Sequence, residues 1–442
     1  LKDQNFQWSI ITGKETAIHL TSQEDDFMQP RVIETLNKGV SRRRFLTSAL
    51  AAGAALTLAD KLALAQEMAT GKLTAKDIHG VGVDPGIVRM STNENPIGPS
   101  PRALQAIAEN MFKINRYSFG GGNMYQELAD FDGIELPKPE PPQRGQGGRR
   151  FRRRRTPFFI TAGSGALLSQ ISLAYLSQGD REVVEAELGY ASVMGDAEDF
   201  IEAGIKTNII KVPMVNHGHD LDAMLQAITP KTSVVVITNP NNPSGTLLSY
   251  EEIEKFVAAV PSNVLVVLDE AYIHFVRDPN YENGATLATK YDNVIVTRTF
   301  SKVFGMPAMR LGYGICSQAI QEKLRFYSTG SANMLAYVAG EAAVKDRSHF
   351  RRSQEVVWAF RDRLEDEFTK MGLEYIPSSG NFMMVNLGKP SMNIMRSMFQ
   401  KGVMVTNRKR EAYPTWIRVS SGTEAETEVF LNVLKEVMGN TI

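Results

Sequence analysis

Residues 264–272 read Val264-Leu265-Val266-Val267-Leu268-Asp269-Glu270-Ala271-Tyr272, an unbroken apolar run that stops on two carboxylates and a tyrosine. Five consecutive apolar residues, three of them β-branched, suit a strand buried on both faces, as in a parallel sheet covered by helices. Runs of the same kind at Phe158–Thr161, Val183–Glu185, Val234–Thr238 and Val294–Thr297 alternate with longer stretches of helical period. The pattern predicts an α/β fold, a mostly parallel sheet with crossover helices. Beyond about residue 335 the rhythm changes. One long helical stretch, 337–372, precedes short strands at Phe382–Asn386, Val403–Thr406 and Trp416–Ser420 and a closing helix from Glu424. This reads as a smaller α+β domain over 336–442, with the segment 66–105 packing against it, beside a large domain over 106–335.

The composition is that of an ordinary globular chain: 442 residues, 43% hydrophobic, with 49 basic and 49 acidic side chains. It excludes a collagen-like, largely disordered or disulfide-stapled protein. The single cysteine, Cys316, allows no intramolecular disulfide, so packing carries the stability. The zero net charge is a cancellation, because residues 144–155 hold 7 arginines and no acid. Outside that block and the first 65 residues, 34 basic groups face 42 acidic ones. The block lies in a Pro/Gly-rich irregular stretch, 135–156, and reads as a solvated loop, so no nucleic-acid partner is expected.

Near the start, Ser41-Arg42-Arg43-Arg44-Phe45-Leu46 precedes a mildly apolar, Ala-rich stretch, Thr47–Ala59, too short to span a membrane as a stable helix. The triplet Ala63-Leu64-Ala65 follows, giving the order basic, apolar, small-x-small. The segment resembles a twin-arginine export signal with Arg42 and Arg43 as the pair. That implies a targeting segment over 1–65 cut after Ala65, the twin-arginine machinery as a partner, and a periplasmic or extracellular mature protein without a stable membrane span.

Four pieces follow predicted strands in order. They are Gly163-Ser164-Gly165-Ala166, Asn239-Pro240-Asn241-Asn242-Pro243-Ser244-Gly245-Thr246, Asp269-Glu270-Ala271-Tyr272 and Arg298-Thr299-Phe300-Ser301-Lys302, with Arg310 eight residues beyond the lysine. In open α/β sheets ligands bind at the carboxyl ends of strands. Taken singly, the pieces read as a loop, a turn, a helix cap and a commonplace Ser-Lys pair. Together they match what pyridoxal phosphate chemistry requires. A lysine must form a Schiff base with the aldehyde, and a carboxylate must keep the pyridine nitrogen protonated. A hydroxyl and an amide must bond the phenolic oxygen, and an anion site must hold the phosphate. Lys302, Asp269, Tyr272 and Asn242 supply the first four. Backbone amides at Ser164, Gly165 and Ala166, with Thr299 and Arg310, supply the last. No metal site is expected.

The chain from about Asn93 onward resembles the fold-type-I pyridoxal-phosphate-dependent aminotransferases, class I/II. The resemblance rests on Asn93-Glu94-Asn95-Pro96-Ile97-Gly98-Pro99-Ser100, Asn115-Arg116-Tyr117, Asp-Glu-Ala-Tyr and Thr-Phe-Ser-Lys, and is to the branch that includes histidinol-phosphate aminotransferase. It implies a seven-stranded, mostly parallel sheet in a large cofactor domain, a smaller terminal domain and a homodimer. It implies a transaminase acting between an amino donor, an amino acid or amino-alcohol phosphate, and a 2-oxo acid acceptor. It assigns Lys302 to the Schiff base and Asp269 to the pyridinium nitrogen, with Tyr272 and Asn242 facing the phenolic oxygen. Ser164, Gly165, Ala166, Thr299, Ser301 and Arg310 match the phosphate cradle, and Tyr190 the aromatic stacked on the ring. Tyr117 matches the tyrosine that reaches the neighbouring subunit's phosphate. Arg418 matches the arginine that forks onto the substrate carboxylate, and Asn95 joins it as a substrate-binding residue. A buried arginine between apolar strand residues independently favours an anionic ligand. A lyase or decarboxylase on the same scaffold shares every cofactor residue, and a non-catalytic polyanion-binding protein is the reading from another class.

Overall fold

The apolar runs lie side by side in one sheet. The computed structural model describes residues 73–117, 123–138, 156–190, 192–328 and 330–439. The expected export segment with Arg42, Arg43 and Ala65, and the arginine block 144–155, lie outside the described residues. After a two-residue strand β1 (Val88–Arg89) come the strands of the main sheet: β2 (Phe158–Thr161), β3 (Arg181–Ala186), β4 (Thr207–Val212), β5 (Thr232–Thr238), β6 (Leu265–Asp269), β7 (Val294–Thr299) and β8 (Gly312–Cys316). Their order is β2-β8-β7-β6-β5-β3-β4, parallel throughout except that β8 runs against both β2 and β7.

β5, β6 and β7 are buried at every residue, as continuous apolar runs require when both faces are covered. Successive side chains alternate between the faces. Val235, Ile237, Val266 and Leu268 pack in a core with Phe256, Leu287 and Ala339. Val234, Val236, Val267 and Ile295 pack in another with Leu167, Ile171 and Val193. The register sets Thr238 beside Asp269 and Asp269 beside Thr297, so β5 and β6 end level and β7 runs on to Thr299.

Two sheet strands lie outside the apolar runs. β4 carries polar residues and is only partly buried, an edge strand. β8 contains Gly312 and Gly314, where a Cβ would meet the backbone nitrogen of Ser164 and, at 2.8 Å, the side chain of Leu167. These glycines let the helix Ser164–Leu176 lie close on the sheet.

The stretch expected as one helix over 337–372 is two, Met334–Lys345 and Arg347–Lys370. Asp346 divides them: its carboxylate accepts from the backbone N–H of His349 at 3.2 Å and from Ser348 Oγ at 2.8 Å, capping the second helix. Further on, β9 (Tyr375–Ile376), β10 (Phe382–Asn386) and β12 (Trp416–Ser420) form an antiparallel sheet in the order β12-β10-β9, while β11 (Val403–Met404) pairs in parallel with β1. Leu73, Ile78, Val88 and Met90 share a core with Phe368, Val385, Ile417 and Phe430. Among the described residues no helix is long and apolar enough to cross a membrane.

Candidate active site

The carboxyl ends of β5, β6 and β7 make the floor of a cleft. Asp269 closes β6 at 2% exposure, where Thr297 Oγ donates to its Oδ1 at 2.9 Å. Burial pushes its carboxyl up to about 6, against the Thr297 bond and a backbone bond from Ala271. Three residues past β7, Lys302 reaches the same cleft and donates from Nζ to the carbonyls of Asn93 at 3.1 Å and Thr92 at 3.3 Å. Burial first, and then the positive charge of Arg418, pull its amine down to about 8. The amine lies 5.5 Å from the Tyr272 ring centre. Among the described residues Lys302 forms no ion pair with a carboxylate, so amine and Asp269 remain separate functional groups.

Tyr272 is buried beneath Lys302, packed edge-on to Phe382. Its hydroxyl accepts from Asn93 Nδ2 at 3.0 Å and from Asn242 Nδ2 at 3.4 Å. Arg418, on β12, donates to Asn242 Oδ1 at 2.7 Å and to the Ser91 carbonyl at 2.9 Å. It is 2% exposed, its Nε has no partner, and no carboxylate pairs with it among the described residues. Burial pulls its guanidinium down to about 10. A buried cation without a counter-ion is costly, and a ligand anion would relieve it.

On the other side of the floor, the helix Ser164–Leu176 begins at Gly163, whose φ of +94° suits glycine, and no side chain caps its first turn. The backbone N–H groups of that turn face outward as an anion site. Arg310 stands against it, so that a Cβ at Gly163 would come within 2.7 Å of the guanidinium. Thr299 Oγ donates to Ser301 Oγ at 3.0 Å beside them. Tyr190, 45% exposed, lines a cavity of about 440 Å³ with Asn242, Pro243, Arg408 and Lys409.

Two expected residues stand elsewhere. Tyr117 is 94% exposed. Asn95 is buried with its amide committed to the Val303 carbonyl at 2.8 Å and Ser353 Oγ at 2.9 Å, and its Oδ1 to the Ile97 N–H. The residue of the entry motif that faces the cleft is Asn93, which sequence reasoning passed over together with its partner Ser420. The available signal was position: Ser420 is two residues beyond Arg418 and therefore on the same face of β12.

The chain is similar to known proteins over most of its length. The family model for aminotransferase class I and II matches residues 85–434. A histidinol-phosphate aminotransferase of Moorella thermoacetica is 34% identical over 357 residues, covering 80% of this chain and 86% of that one. One from Akkermansia muciniphila is 36% identical over 372 residues, covering 83% and 95%. Among solved structures, histidinol-phosphate aminotransferase from Sinorhizobium meliloti in complex with pyridoxal-5'-phosphate superposes with a TM-score of 0.70 at 24% identity, over 81% of this chain and 92% of that one.

Proposed function

The chain belongs to the class I and II aminotransferases, and we propose that it uses pyridoxal 5'-phosphate to move an amino group from an amino acid or amino-alcohol phosphate to a 2-oxo acid. When bound, that cofactor supplies an aldehyde to take up the amino group and a ring that spreads the electrons left when a substrate proton departs. The residues fit such a group. The uncapped helix start at Ser164–Ala166, Arg310, Thr299 and Ser301 would hold the phosphate dianion. Tyr272 and Asn242 would bond the phenolic oxygen, and Tyr190 would flank the ring. Asp269 would meet the pyridine nitrogen, its carboxylate drawing a proton to that atom.

The observation that carries the reading is one cleft holding a lysine amine hydrogen-bonded to backbone carbonyls and a separate buried carboxylate, neither neutralised by the other, with burial drawing the amine down to about 8. An amine so lowered is neutral often enough near physiological pH to act first as nucleophile and then as general base, taking the substrate's α-proton on Nζ. Arg418 orients the substrate through its anionic group, using the unsatisfied face of its guanidinium. The names of the relatives favour an amino-alcohol phosphate as donor. Incubating purified protein with a panel of amino donors and 2-oxo acids tests the reading. Keto product that depends on the acceptor is expected, whereas carbon dioxide release without an acceptor would mark a decarboxylase instead.

The same reading includes a homodimer and export. Tyr117, with the exposed Phe112 and Ile114, supports a second copy whose cofactor phosphate Tyr117 would reach. The arginine pair and the small-x-small triplet before residue 66 support passage by the twin-arginine route to a periplasmic or extracellular site of action.

A further inference from the structure

Two residues on one face of β12, Arg418 and Ser420, each orient a side-chain amide toward the hydroxyl oxygen of Tyr272. The backbone N–H of Asn93 can only donate, and Ser420 Oγ accepts it at 2.8 Å. Ser420 Oγ in turn donates to Asn93 Oδ1 at 2.8 Å. Asn93 Nδ2 must therefore point the other way, at Tyr272 Oη, 3.0 Å distant. On the second branch a guanidinium has no acceptor, so the atom 2.7 Å from Arg418 is the oxygen of Asn242, and its Nδ2 faces Tyr272 Oη at 3.4 Å. With two N–H groups delivered to it, the tyrosine oxygen has one hydrogen-bonding capacity left, its own O–H.

We propose that Ser420 and Asn93 are positioning residues which, in parallel with Arg418 and Asn242, fix the Tyr272 hydroxyl as a hydrogen-bond donor to the cofactor's phenolic oxygen. The inference rests on the pyridoxal phosphate reading of the cleft. Asn93 and Ser420 are each 1% exposed, so water does not substitute for either. Asn93 has a φ of +55°, a left-handed conformation that asparagine tolerates better than other side chains with a Cβ. The Asn381 amide pins its carbonyl at 3.0 Å. Accepting N–H bonds polarises the tyrosine hydroxyl and strengthens the bond it donates. A donor bond to the phenolic oxygen favours that oxygen's anionic form and weakens its hold on a shared proton. It therefore lowers the pH at which the bound cofactor changes colour.

The test is a pH titration of the visible absorbance of the cofactor-loaded protein, with thermal melts to show that each variant is folded. Tyr272→Phe should raise the midpoint by about one pH unit, the worth of one good hydrogen bond. Ser420→Ala and Asn93→Asp should raise it part of the way, while Ser420→Thr, which keeps the hydroxyl, should restore the parent value. Asn93→Asp preserves shape and remains available if Ser420→Ala does not fold. Adding Ser420→Ala to Tyr272→Phe should produce no further shift. Midpoints unchanged in Ser420→Ala and Asn93→Asp while Tyr272→Phe moves, or an equal shift in the Tyr272→Phe background, would overturn the relay and leave the cofactor reading intact. No visible absorbance in the loaded parent protein would remove both.

Discussion

Lys302 and Asp269 are chemically useful because burial moves both toward neutrality, the amine down to about 8 and the carboxyl up to about 6. Cofactor uptake by cofactor-free protein needs the neutral amine. Its rate, followed by visible absorbance, should rise with pH to half its maximum near 8. A half-maximum near the ordinary lysine value would contradict the desolvated environment. Glu185 is shifted by the same cause. Buried at 1% exposure with one oxygen unpartnered, its carboxyl is pushed up to about 8 by desolvation, from an ordinary value of 4.5. As pH climbs through that window, the unfolded chain releases the proton first, so this group's stabilising contribution is complete below 4.5 and lost by about 8. Glu185→Gln should therefore raise Tm by at least about 2 °C at pH 8 and leave it nearly unchanged at pH 4.5. Equal melting-curve shifts at both values would refute it. Lys302, Asp269, Tyr272, Asn242 and Arg418 were legible in the sequence because the chemistry dictates their types at strand ends. Asn93 and Ser420 were not, since each matters only through the side chain it orients.

Among the elements, the strands whose both faces are apolar could be read from the sequence, and those with mixed or glycine-rich composition could not. β8 is buried at every residue, yet at Gly312 and Gly314 the start of the helix Ser164–Leu176 stands where side chains would otherwise be. The split at Asp346 was hidden because a helical period runs on through a one-residue cap. A different bond ties β6 and β7 to the helix Met124–Asp132: Arg298, 2% exposed, makes 2.6 Å ion pairs with Asp132 and Glu270. Tyr313 donates to the second oxygen of Asp132 at 3.0 Å. Because Glu270 follows Asp269 directly, this cluster also anchors the end of β6 that forms the cleft floor. Removing Arg298 leaves two buried carboxylates uncompensated. Arg298→Ala should destabilise the protein by about 3–5 kcal/mol in urea unfolding, and a loss below about 1 kcal/mol, the range of surface pairs, would show that the cluster is solvated.

For the whole molecule, the family-matched body differs in charge balance from the arginine block 144–155, and the proposed targeting segment 1–65 rests on its order of basic, apolar and small-x-small residues. The family assignment concerns the catalytic body. The export proposal is tested by fusing residues 1–65 to a reporter in a bacterial host with the twin-arginine machinery. Export is expected, and Arg42→Lys with Arg43→Lys should abolish it; export that persists in the double variant would contradict the route. Sedimentation should give a dimer, and Tyr117→Phe should weaken cofactor retention without altering the Tyr272 titration. The central claim is that Lys302 carries the cofactor and moves the substrate proton in an amino-group transfer. The most direct measurement is acceptor-dependent keto-product formation by the cofactor-loaded protein beside its Lys302→Ala variant, with visible absorbance recorded for both. Turnover and a cofactor band are expected in the parent and neither in the variant; parent-level turnover by Lys302→Ala would show that Lys302 is not the reacting amine.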